Sequence, residues 1–84
     1  MHREKLHQLL VKRVDTWTES DVGVWLTTID FARYVELFRS QEIDGSALLI
    51  LDKAELEKIG VTKVGPKVKL WNAIETLRQI NQKM

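Results

Sequence analysis

Side chains able to do covalent or metal chemistry are scarce in this chain, and their spacing is poor. His2 and His7 are the only imidazoles. An i, i+5 separation does not bring two ring nitrogens onto one helical face, so both are read as solvated or packing residues. There is no Cys, hence no thiolate nucleophile, no thiolate metal ligand and no disulfide. Asp52, Glu55 and Glu57 form a dense carboxylate group, but they fall at a helix start, where capping accounts for them. No nucleophile has a base at a useful spacing. Gly60 and Gly65 lack the spacing and the Lys-Ser/Thr ending of a phosphate loop. The sequence therefore offers no catalytic residue, no metal site and no cofactor site, and the protein is read as not an enzyme.

What the sequence does offer is charge sorted by position. The 84 residues carry a formal net charge of only +1. Residues 1–14 hold Arg3, Lys5, Lys12 and Arg13 against Glu4. Residues 15–57 hold ten acidic side chains against three basic ones, and residues 58–84 hold Lys58, Lys63, Lys67, Lys69, Arg78 and Lys83 against Glu75. Any one of these is most simply a solvated residue on a helix face. Solubility, however, is served by interspersed charge, so segregation by sign points to surfaces that meet a partner.

Such surfaces need a scaffold, and the chain is long enough for one domain. With 44% hydrophobic and 30% charged residues it describes a single globular unit. A domain this small buries only about 60% of the surface its unfolded chain exposes, so its core must be well organised. The longest apolar run, Ala47 to Leu51, is five residues, too short for a membrane span or a secretory signal.

Strand-like alternation is absent, and the punctuation predicts an all-α fold. Thr18 and Asp21 have capping-box spacing, followed by Val22, Trp25, Leu26 and Ile29 on one stripe. Asp30 is expected to cap a second helix carrying Phe31, Tyr34, Val35, Leu37 and Phe38 to about Ser40. Ile43-Asp44-Gly45 reads as a tight connection into a short helix from Ser46 to Leu51. Asp52 with Glu55 repeats the capping spacing, Leu56 and Ile59 face inward, and Gly60 supplies a left-handed stop. Thr62 to Gly65 is expected as a loop, with Pro66 at the first position of a long last helix. The packing face of that helix is Val68, Leu70, Trp71, Ile74, Leu77 and Ile80.

The expected core is Trp17, Val22, Leu26, Phe38, Leu48, Leu49, Leu56, Ile59, Leu70, Trp71, Ile74 and Leu77. Trp25, Tyr34 and, at the edge of its stripe, Phe38 could stand half exposed. Val24, Phe31 and Ile50 are candidate surface apolar residues with value at an interface.

Trp17-Thr18 leads into Asp21-Val22 and Trp25-Leu26, then Tyr34 and Phe38, then Ile43-Asp44-Gly45 with Leu48-Leu49. Leu56, Ile59-Gly60-Val61, Gly65, Lys69-Leu70, Ile74 and Leu77 follow. In this order and at these spacings, the stretch from about Asp15 to Gln79 resembles the sterile alpha motif (SAM) domain family. The resemblance implies a five-helix bundle with a long C-terminal helix, in agreement with the caps and periodicity. It also implies a protein-binding module that pairs head to tail through two different surfaces. An acidic mid-loop surface would comprise Glu42, Asp44, Asp52 and Glu55. A basic end-helix surface would comprise Lys63, Val64, Gly65, Pro66, Lys67 and Lys69, beside the positive pole of the last helix.

The partners implied are other SAM domains, either copies of this chain or heterologous ones. Because the two surfaces differ, self-pairing leaves a free surface at each end and builds an open polymer unless the rotation closes a ring. The alternative is an RNA stem-loop held by Lys63, Lys67 and Lys69. A pI near 8.1 and the acidic middle of the chain weigh against nucleic acid.

Residues 15–84 are taken as the SAM-like domain and residues 1–14 as an N-terminal extension. Leu6, Leu9, Leu10 and Val14 suggest an amphipathic helix there, packed on the last helix or leading in from a longer chain. The expected setting is a larger signalling or scaffold protein in the cytoplasm or nucleus.

Overall fold

In a computed structural model, which describes Leu9 and residues 11–83, short-range side-chain hydrogen bonds start three of the helices among the described residues. The helices are α1 (Glu19–Thr28), α2 (Val35–Ser40), α3 (Gly45–Leu48), α4 (Lys53–Ile59) and α5 (Val64–Lys83). Two 3-10 turns, Val14–Thr16 and Ala32–Tyr34, precede α1 and α2. No strand occurs among the described residues.

Two helices open on capping boxes. Thr18 Oγ1 accepts from the Asp21 N–H at 3.1 Å, and Asp21 Oδ2 accepts from the Thr18 N–H at 3.0 Å. Asp52 Oδ1 accepts from the Glu55 N–H at 2.8 Å, and Glu55 Oε1 accepts from the Asp52 N–H at 3.4 Å. Asp44 caps α3 by accepting from the Ala47 N–H at 2.9 Å. Each such cap stabilises its helix by about 1 kcal/mol. Partial burial works against ionisation of Asp21, but the Thr18 N–H and the Lys12 ammonium outweigh it and hold its carboxyl below the ordinary value.

Three helices end alike. At the close of α1, the Phe31 N–H reaches Leu26 O at 2.8 Å and the Asp30 N–H reaches Thr27 O at 3.2 Å. At the close of α2, Ile43 and Glu42 make the same pair of bonds to Phe38 O and Arg39 O; at the close of α4, Val61 and Gly60 make them to Leu56 O and Glu57 O. These are Schellman caps, which need a left-handed residue at the turn. Asp30 (φ 68°), Glu42 (φ 55°) and Gly60 (φ 122°) supply it. The accompanying apolar pairs, Leu26 with Phe31, Phe38 with Ile43 and Leu56 with Val61, are all buried. The ends of the helices are thus joined to the core.

Several expectations are corrected by this geometry. Asp30 ends α1 and does not cap α2, because the Schellman bonds demand the left-handed backbone at that position. The second segment divides into a 3-10 turn and α2. The short helix starts at Gly45, one residue early, and stops at Leu48. Pro66 is the third residue of α5. It is tolerated there because the first N–H groups of a helix have no intrahelical acceptor to lose.

The core contains Trp17, Val22, Trp25, Leu26, Phe31, Phe38, Leu48, Leu56, Leu70, Ile74 and Leu77. Trp25 and Phe31 are inside, Trp25 with its ring centroid 6.4 Å from that of Trp17. Leu49, Ile59 and Trp71 only pack against this core and stay partly exposed. Leu49 lies past the end of α3, Ile59 is the last residue of α4, and Trp71 is covered by charged groups. The Arg78 guanidinium lies 4.7 Å from its ring centroid and the Lys53 ammonium 5.9 Å.

Leu9 and Val14 are buried in the same core, and the Trp17 indole N–H donates to Leu9 O at 3.2 Å. Gly45 is packed against this segment: a Cβ there would stand 1.9 Å from Val14 O and 2.7 Å from Trp17 Cβ. Its N–H donates to Trp17 O at 2.9 Å. Leu6, Leu10, His2 and His7 lie outside the described residues.

Candidate interaction surfaces

The acidic surface runs from the end of α2 to the start of α4. Glu42, Asp44, Asp52 and Glu55 are all exposed. Asp44, Asp52 and Glu55 are held by the cap bonds described above, and Glu42 sits on the left-handed turn. The turn joining α3 to α4 carries Ile50, which is 77% exposed although Leu51 next to it is buried. Its N–H donates to Ala47 O at 3.1 Å. A large apolar side chain is therefore presented between two helix starts, each capped by an aspartate.

The basic surface is the first two turns of α5. Lys63, Val64, Gly65 and Lys69 are exposed, and Pro66 and Lys67 are partly buried. Val64 is 70% exposed and Val68, one turn on, is 41% exposed. Val68 was expected on the packing face; it lies on the outer side of the helix, where with Val64 it forms a small apolar strip. Lys67 turns inward, its Nζ 3.1 Å from Glu57 Oε2 with 18% of the side chain exposed. Lys63 and Lys69 make no ion pair among the described residues and stand beside the positive end of a 20-residue helix.

From the same stretch of α5, Gly65, Pro66, Lys69 and Ala73 also face Ile29, Asp30, Phe31 and Arg33 across a groove of about 530 Å³. The Arg33 guanidinium lies over the rings of Phe31 and Tyr34, at 5.3 and 4.9 Å from their centroids.

Sequence reasoning did not find three of these features. Spacing alone does not link Glu57 to Lys67, puts Val68 on the packing face, and shows Arg78 only as a charge. The α5 guanidinium of Arg78 donates to Leu49 O at 2.5 Å and also to Leu51 O, and its other nitrogen pairs with Glu75. The two carbonyl contacts span 29 and 27 residues, and no local spacing announces them. Among the described residues, no group of three or more His, Asp or Glu could hold a metal ion. No helix there is long and apolar enough to cross a membrane.

A family model described as SAM domain (Sterile alpha motif) matches residues 15–78. The human SH3 and multiple ankyrin repeat domains protein 2 is 39% identical over 66 residues, which is 79% of this chain and 4% of the relative. Mouse diacylglycerol kinase delta is 32% identical over 74 residues, covering 88% of this chain and 6% of the kinase. Diacylglycerol kinase eta of Drosophila melanogaster is 34% identical over 65 residues, 77% of this chain and 3% of the relative. The chain thus spans only a small fraction of the length of the curated relatives it matches.

Proposed function

The chain belongs to the sterile alpha motif family of protein interaction modules, and from that membership we propose that it pairs head to tail through its acidic and basic surfaces. The observation that carries this is the match between two exposed apolar features. Ile50 is exposed on the segment that carries Asp44, Asp52 and Glu55, and Val64 and Val68 are exposed on the segment that carries Lys63 and Lys69. An apolar contact ringed by opposite charges is the usual anatomy of a specific interface. Lys67, already bound to Glu57, supports the start of α5 from within. Because the surfaces are distinct, the association is heterologous and extends into a polymer unless it closes.

The domain would act without chemistry of its own, as a docking segment of a longer signalling or scaffold protein in the cytoplasm or nucleus. The diacylglycerol kinases among the relatives fit that setting, since this module is a small part of each. The RNA alternative would rest on Lys63 and Lys69 alone, too few phosphate contacts for appreciable affinity at physiological salt.

A molecular-mass series in concentration tests the proposal. The wild type should grow beyond its 9.8 kDa as concentration rises, more so at low salt. Ile50→Glu and Val64→Glu should each remain monomeric, and an equimolar mixture should stop at a dimer, since each variant keeps one intact surface. A wild type that stays monomeric throughout would rule out self-association.

A further inference from the structure

We infer that Arg78 is a positioning residue for the acidic surface: its guanidinium holds the two carbonyls that flank Ile50 and so sets the turn that presents this side chain. The consequence for binding rests on the head-to-tail proposal. α3 has only four residues, Gly45–Leu48, too few to be stable by itself. The backbone bonds of the turn after it are all short-range, Leu49 N–H to Gly45 O at 3.1 Å, Ile50 N–H to Ala47 O at 3.1 Å and Leu51 N–H to Leu48 O at 3.3 Å.

Arg78 supplies the missing restraint from 29 residues away in sequence, donating to Leu49 O and Leu51 O. A planar fork with fixed donors suits two acceptors two residues apart, and an ammonium does not. The fork is itself fixed, by Glu75 one turn earlier and by the Trp71 ring beneath it. Between the two clamped carbonyls, the only large side chain sent outward is Ile50. The helix whose first turns form the basic surface therefore also holds the apolar tip of the acidic one.

The experiment places Arg78→Met in each single-surface variant in turn and measures their pairing by calorimetric titration. In the Val64→Glu protomer, which presents Ile50, the substitution should weaken pairing about tenfold, the scale set by ordering a side chain before it binds. In the Ile50→Glu protomer it should leave affinity unchanged, and Arg78→Lys should restore part of the loss. Equal losses in both protomers would reduce Arg78 to general support of the fold and overturn the inference.

Amide hydrogen exchange in the unpaired Val64→Glu protomer reads the clamp without any partner. Arg78→Met should speed exchange at Ile50 and Leu51 several-fold and leave Leu70 and Ile74 unchanged; unchanged exchange at Ile50 and Leu51 would overturn the inference. Locally faster exchange in variants that do not pair would sink the head-to-tail proposal and leave the clamp standing.

Discussion

The acidic and basic surfaces are built on different physics. Asp44, Asp52 and Glu55 accept hydrogen bonds from backbone N–H groups, so the carboxylates that would meet a partner also start α3 and α4. On the basic surface, Lys63 and Lys69 carry their charge on long stems without an ion pair among the described residues, and Lys67 alone is tied down. Charge at Asp44, Asp52 and Glu55 is immobilised, which lowers the entropy lost on binding, but it cannot be removed without loosening the fold. Charge at Lys63 and Lys69 can be removed with little effect on the fold. A loss of association therefore means different things on the two sides.

The largest difference should appear at Gly45. Gly45→Ala forces a methyl group into Val14 O and Trp17 and should cost about 3 kcal/mol or more in denaturant unfolding. Gly65→Ala on the basic side, where a Cβ meets nothing within 4 Å, should leave unfolding within about 0.5 kcal/mol of wild type. Equal costs would remove the contrast.

Next come the charges themselves. Asp52→Ala should lower stability by about 1 kcal/mol through its lost cap, and Lys63→Ala should change it by less than about 0.5 kcal/mol. Thermal unfolding of both, beside their pairing affinities, shows which share of each binding defect is folding.

Glu42 separates the two effects on one surface. Its left-handed backbone is strained for an L side chain, so Glu42→Gly should raise stability by about 0.5–1 kcal/mol while removing an acidic group. A higher melting temperature with weaker pairing would show that the carboxylate itself is recognised. A lower melting temperature would refute the account of this turn.

The smallest effect concerns a cap carboxylate outside both surfaces. Asp21 is held below its ordinary value of 3.8, so the folded state binds its proton less well than the unfolded chain does. Its contribution is complete above about pH 4 and is lost as pH falls through the depressed value. In a pH series of melting temperatures, Asp21→Asn should be less stable than wild type at neutral pH and should converge on it in acid. A constant difference across the series would show that ionisation of Asp21 plays no part.

Much of this was legible in the chain. Thr18 with Asp21, Asp52 with Glu55, and Gly60 are signals whose partners lie three or four residues away, so spacing alone identifies them. Asp30 and Glu42 escaped because a left-handed turn can be filled by residues that sequence reads as a cap or a surface charge. Trp25 and Trp71 both lie on amphipathic stripes. Which was covered by apolar residues and which by Arg78 and Lys53 depended on neighbours far along the chain.

The sequence by itself determined the helical class, most helix starts and stops, and the sorting of charge by sign, because these follow from contacts within a turn or from counting. Only the tertiary structure decided that Lys67 is tied to Glu57, that Val68 joins Val64 on the outside, and that Arg78 grips the turn beneath Ile50. The Lys67 and Arg78 contacts join residues 10 to 29 positions apart, and they form only when packing has brought α4 and the turn before it against α5. The acidic and basic charges were visible as composition, and Ile50 and Val64 as apolar residues beside them; Val68 and the Arg78 contacts beneath Ile50 were not.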